Sequence, residues 1–144
     1  MNECKRQRLC IYQLHTQWNT MKKSIAILED DTDIREICRL LFTAEGYQVT
    51  SFANISSFTK QWPSPDLFLL DIQLPDGNGL ELCDKLKTDP MMMSIPVIMM
   101  SAHLRRSMMA EGCLADDFIE KPFDIDHLLN RVSMLIQRSN ARIT

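Results

Sequence analysis

Five short apolar runs, each followed by residues with helical spacing, leave this chain few ways to fold. The runs cover 24–28, 47–52, 66–71, 95–101 and 116–120. Parallel strands need a crossover, and a helix is the usual one, so five strand–helix repeats predict a parallel sheet with helices on both faces. Between the runs, Asp33 with Glu36 resembles a capping box, and Ile34, Ile37, Leu41 and Ala44 mark one helical face that Gly46 ends. Asn54 can cap a second helix carrying Ile55, Phe58 and Trp62, which Pro63 and Pro65 close. A third helix covers 80–87 with Leu82 and Leu86 one turn apart, and Met91-Met92-Met93 reads as loop or late helix. Pro96 is acceptable only near the start of its strand. Residues 102–113 read as a helix of mixed character. The last helix carries the clearest stripe, in Ile125, Leu128, Leu129, Val132, Leu135 and Ile136.

The 144 residues fit one domain, expected over 23–144. Residues 1–22 show no convincing period and read as an extension, disordered or loosely helical. No apolar run approaches membrane-spanning length. The formal charge of −3 hides an asymmetry. Lys5, Arg6, Arg8, Lys22 and Lys23 against Glu3 give residues 1–23 a charge of +4, which leaves −7 on the rest. So acidic a domain is a poor nucleic-acid binder, because phosphate contacts need Lys and Arg. Five cysteines, Cys4, Cys10, Cys38, Cys83 and Cys113, form no short metal-ligand spacing and point to a reducing, cytoplasmic compartment.

Four of the runs end in residues that a polar site could use: Glu29-Asp30, Asp71, Ser101 and Lys121. A single aspartate at a strand end more often caps the next turn or helix. Parallel strands, however, bring all their carboxyl ends to one edge, where open α/β sheets bind ligands. Carboxylates gathered there repel one another, and a divalent cation relieves the repulsion. Mg²⁺ favours one or two carboxylates together with waters and a phosphate oxygen. A carboxylate can also attack phosphorus, with a lysine offsetting the charge of the incoming group and a hydroxyl donating to it.

The motifs Ile-Leu-Glu-Asp-Asp, Leu-Leu-Leu-Asp-Ile-Gln-Leu-Pro-Asp-Gly, Ile-Met-Met-Ser-Ala and Phe-Ile-Glu-Lys-Pro-Phe occur in that order. Together, over roughly 23–138, the chain resembles the receiver domain of two-component response regulators. The resemblance implies a flavodoxin-like, doubly wound five-stranded parallel sheet of order 2-1-3-4-5. It implies that Asp71 accepts a phosphoryl group from a sensor histidine kinase or a histidine phosphotransfer protein. Mg²⁺ would be held by Asp30, by Glu29 mostly through water, by Asp71 and by the backbone carbonyl of Gln73. Asp31 is a tempting alternative, but the spacing to Ile34 matches the family when Glu29 and Asp30 are the acid pair. Ser101 matches the switch hydroxyl, and Phe118 the aromatic that swings inward, with Phe in place of the commoner Tyr. The Lys121–Pro122 peptide is expected to be cis. Output would pass to an unknown downstream protein through the face made by 102–113, the fifth strand and the last helix, where Met108 and Met109 stand out. A phosphorylation-dependent homodimer through that face is compatible with the pattern.

Such a chain is a switch rather than an enzyme, limited to self-phosphotransfer and autodephosphorylation. A phosphatase of the haloacid dehalogenase type would carry an acid two positions after the nucleophile, where Gln73 stands. A flavin carrier would need small hydroxyl residues and glycine where Glu29-Asp30-Asp31 would repel a phosphate. A degenerate scaffold would lack the intact cluster.

Overall fold

A computed structural model of the chain describes residues 22–103 and 112–143. The expectations for residues 1–21, and for Met108 and Met109, lie outside them. Strands β1 (Ser24–Leu28), β2 (Gln48–Phe52), β3 (Leu67–Asp71), β4 (Val97–Ser101) and β5 (Asp117–Glu120) form one parallel sheet of order β2-β1-β3-β4-β5. The order is the one expected from the sequence. Helices α1 (Thr32–Ala44), α2 (Ile55–Gln61), α3 (Gly79–Thr88) and α4 (Ile125–Ile143) complete the described architecture.

Strand residues alternate between two cores. Ile25, Ile27, Leu67, Leu69, Ile98 and Met100 face α1 and α4, packing on Phe42, Leu128, Val132 and Ile136. Ala26, Leu28, Phe68, Leu70, Val97 and Met99 face α2 and α3, packing on Phe58, Leu82, Cys83 and Leu86. The period of two therefore feeds both faces, which is why the central strands read as unbroken apolar runs. Each fully buried Phe, Leu or Ile contributes about 1.5–3 kcal/mol relative to exposure.

The structure corrects several local expectations. Asp31, not Asp33, caps α1: its carboxylate accepts from Asp33 N at 2.9 Å and Ile34 N at 3.0 Å. Glu36 turns instead to Arg39 in an i,i+3 pair. The buried face of α1 runs through Cys38 and Phe42, while Ile37 is 49% exposed and Ala44 is exposed. Of the expected face Ile34 still packs against this core, but contact with β1 and β2 turns the helix so that Cys38 and Phe42 take the buried positions. Strand β4 begins at Val97 rather than Ile95, since Pro96 has no N–H to offer. Residues 91–94 are turn, with Met92 buried between the exposed Met91 and Met93. Of the helix expected over 102–113, Ala102, His103 and Gly112 lie in turns, Cys113 is irregular, and 104–111 fall outside the described residues. Ile125 heads the last helix but is 46% exposed. After β3, Gln73–Leu74 and Gly77–Asn78 pair as a small antiparallel hairpin that periodicity gave no sign of.

Candidate functional site

The carboxyl ends of β1, β3, β4 and β5 meet around one cavity of about 500 Å³. Glu29, Asp30, Asp71, Gln73, Ser101 and Lys121 all line it, so the residues singled out in the sequence come together except Phe118. That ring sits beside Met99 in the β4–β5 register and packs, half-buried, against the α2–α3 core.

Each position has a local cause. The chain leaves β1 at Glu29, whose N–H donates to Phe52 O at 3.0 Å and fixes the exit. Glu29 is fully buried, whereas Asp30 is exposed. Arg35, one turn into α1, donates to Glu29 O at 2.8 Å and to Asp30 O at 3.4 Å, which fastens the loop carrying both acids. Asp71 ends β3 and is 5% exposed. Its Oδ1 accepts from Gln73 N at 3.3 Å. Ser101 ends β4, with Oγ accepting from His103 N at 3.0 Å, and its carbonyl receives Lys121 N at 2.9 Å. That last bond carries the β4–β5 ladder one step past the strand and brings Lys121 to the cavity. The Lys121–Pro122 peptide is cis, as expected.

Electrostatics then bind the group together. Carboxylate oxygens of Glu29, Asp30 and Asp71 lie within 4.8 Å of one another. Lys121 Nζ is 2.5 Å from Glu29 Oε2 and 3.1 Å from Asp71 Oδ2. Burial, opposed by the contact with Lys121 and reinforced by the charge of Asp71, pushes the Glu29 carboxyl up to about 7. Burial works against the Lys121 ammonium, but hydrogen bonds to Glu29 and Asp71, with their charges, more than offset it and raise its pKa. Glu29 Oε2 is buried with no donor aligned on it as a hydrogen bond, although the ion pair with Lys121 is close. One ammonium thus serves the carboxylates of Glu29 and Asp71, while that of Asp30 stands beside them, exposed and without a cationic side chain paired to it among the described residues. That donor set suits a small hard cation with oxygen ligands. Asp31 also lines the cavity, but its carboxylate is occupied as the α1 cap and is not one of the three that converge.

Three supporting residues were not singled out as such from the sequence. Arg35 is one. Asp76 is another: its two oxygens accept from Ile55 N and Ser56 N, each at 2.9 Å, so the loop after Asp71 caps α2 across 21 positions. Gly79 is the third, known from the sequence only as a loop marker. A Cβ there would lie 1.9 Å from Asp71 O, so α3 approaches the end of β3 only because residue 79 has no side chain.

Comparison with known proteins agrees with this geometry. The family model for the response regulator receiver domain matches residues 25–133. The phosphate regulon transcriptional regulatory protein PhoB of Rhizobium meliloti (strain 1021) is 32% identical over 127 residues, covering 85% of this chain and 56% of its own length. The chain therefore spans about half the length of the curated relatives it matches. A putative response regulator from Chloroflexus aurantiacus superposes with a TM-score of 0.74 at 24% identity, over 81% of this chain and 98% of that one, a likeness of fold alone. TrrA of Thermotoga maritima, a response regulator solved in complex with Mg²⁺ and BeF, gives 0.71 at 26% identity, over 78% and 98%.

Proposed function

The chain belongs to the response regulator receiver family, and on that premise we propose that it is a phosphorylation-dependent switch in which Asp71 accepts the phosphoryl group. The observation that carries this reading is the convergence of Glu29, Asp30 and Asp71 within 4.8 Å, with Lys121 ion-paired to two of them. Receiver domains are phosphoacceptor signalling domains of two-component systems. The donor here is a phosphohistidine on a sensor kinase or phosphotransfer protein.

In the transfer, a carboxylate oxygen of Asp71 forms the new bond to phosphorus as the phosphorus–nitrogen bond of the donor breaks and its electron pair returns to the imidazole. Asp30 and Asp71, with the Gln73 carbonyl and with Glu29 through water, would hold Mg²⁺, which supplies positive charge against the phosphoryl oxygens. Lys121 offsets further charge on the transferred group. The Ser101 hydroxyl donates to a phosphoryl oxygen, and Phe118 moves inward beside it. Residues 102–113, β5 and α4 then present the altered face to a protein target or to a second copy of the chain.

We take 23–144 as the receiver domain and 1–22 as an extension. The charge of −7 on residues 24–144 supports a protein target rather than a nucleic acid for this domain. Among the described residues no helix is long and apolar enough to cross a membrane, and cytoplasmic signalling fits the reading. Incubation with a small phosphodonor and Mg²⁺, followed by intact mass, tests the proposal. One added phosphoryl group that EDTA abolishes is expected; an unchanged mass with Mg²⁺ present contradicts it.

A further inference from the structure

The opposite edge of the sheet carries a second cavity, of about 480 Å³. It lies between the end of α3, the segments entering β4 and β5, and the last turns of α4. Two of its charged residues form a strut. Lys87, 10% exposed, lies 2.6 Å from Asp116 Oδ2 and donates to Ile95 O at 2.9 Å. The same Asp116 oxygen accepts from Val97 N at 2.8 Å. These two charges cancel, and their bonding capacity goes into holding α3 and the segment before β5 to the start of β4.

Arg138 and Arg142 differ. Both line the cavity one turn apart on α4, and neither has an ion-pair partner among the described residues. Like charges at this helical spacing repel, and an anion placed between them removes the cost. Guanidinium forks match a phosphate in charge and geometry. Hydroxyls of Ser94 and Ser139 line the same wall and can donate as well. Pro96 and Leu135 provide apolar surface, and Met93, 54% exposed, adds an apolar rim. General basicity does not explain the patch, since residues 24–144 carry −7 overall. The cavity is open on the side of the two arginines, both of which are exposed, and its volume is that of a small molecule.

We infer that this cavity binds a small organic phosphate. The phosphate sits between Arg138 and Arg142, and the apolar body rests on Met93, Pro96 and Leu135. The site is separate from Asp71 and does not depend on its chemistry.

The test is an NMR titration of the full chain in EDTA, which keeps the acidic site out of play. The probes are adenosine 5′-monophosphate, inorganic phosphate and adenosine. The nucleotide should give saturable shifts at the Ser94 and Ser139 amides, inorganic phosphate weaker ones at the same residues, and adenosine none. The double variant R138Q/R142Q should bind the nucleotide about tenfold more weakly or worse, through loss of charge-assisted hydrogen bonds. An amide spectrum that matches the wild type away from the cavity would show that the variant folds. No saturation by about 10 mM nucleotide, well short of ordinary metabolite affinity, would overturn the site. So would binding that survives in the double variant, or adenosine binding as well as its phosphate. Inorganic phosphate binding as tightly as the nucleotide would overturn the role of the apolar wall.

Discussion

Glu29, Asp30 and Asp31 are three consecutive acids with three different fates. Glu29 is buried against Lys121, Asp30 is exposed at the cavity, and Asp31 caps α1. Mutation should separate them. Asp30→Ala should weaken Mg²⁺ binding at least tenfold by NMR titration. Asp31→Ala should leave that affinity nearly unchanged and lower stability by about 1 kcal/mol, the usual cost of an N-cap. The opposite ranking would shift the acid pair by one residue. Asp76 makes a pH prediction. Hydrogen bonds from Ile55 N, then Ser56 N, hold its carboxyl below the usual range. A depressed acid stabilises the fold fully above the unfolded pKa of about 3.9, and the contribution disappears as pH falls through the lower folded value. The protection factors of the Ile55 and Ser56 amides, corrected for intrinsic exchange, should therefore fall below about pH 4. In Asp76→Asn the same amides should be less protected at neutral pH and lack that transition. A wild-type profile flat down to pH 2 would remove the brace.

At the scale of elements, what sequence could show depended on range. The strands were legible because their apolar runs stop at polar residues, and parallel pairing carries Asp71, Ser101 and Lys121 to one edge. The caps and the helix faces depended on partners distant in sequence. The α1 face is set by β1 and β2, Asp76 meets α2 across 21 positions, and Lys87 meets Asp116 across a strand. No local period encodes such contacts. Gly79 is the sharpest example, since its reason lies in the backbone of Asp71. Gly79→Ala should move α3 away from β3 at a cost of about 1–3 kcal/mol, the range for overpacking. Slower phosphorylation should accompany the lower denaturation midpoint. Wild-type stability together with a wild-type rate would mean that α3 does not set the position of Asp71.

The whole molecule has two poles. Acids gather at the carboxyl edge around Asp71, and Arg138 and Arg142 stand at the amino edge. Signal transmission is a property at this scale. In the relay proposed here, a phosphoryl group on Asp71 would give Ser101 a charge-assisted partner, and Phe118, now half-buried, would gain burial on moving in. A large apolar side chain contributes roughly 1–3 kcal/mol on full burial, enough to bias two states severalfold or more. Shift mapping with a phosphoryl mimic should perturb Phe118, β5 and residues 102–113; changes confined to the loops around Asp71 would defeat the relay and leave the chemistry standing.

All of this depends on where the phosphoryl group lands, and that can be read directly. After reaction with Mg²⁺ and a small phosphodonor, borohydride reduces an aspartyl phosphate to homoserine, and peptide mass spectrometry locates the altered residue. The expected result is modification at position 71 alone in the wild type and none in Asp71→Asn. Reduction at Glu29, Asp30 or any other acid, or equal labelling of the two proteins, would contradict the account.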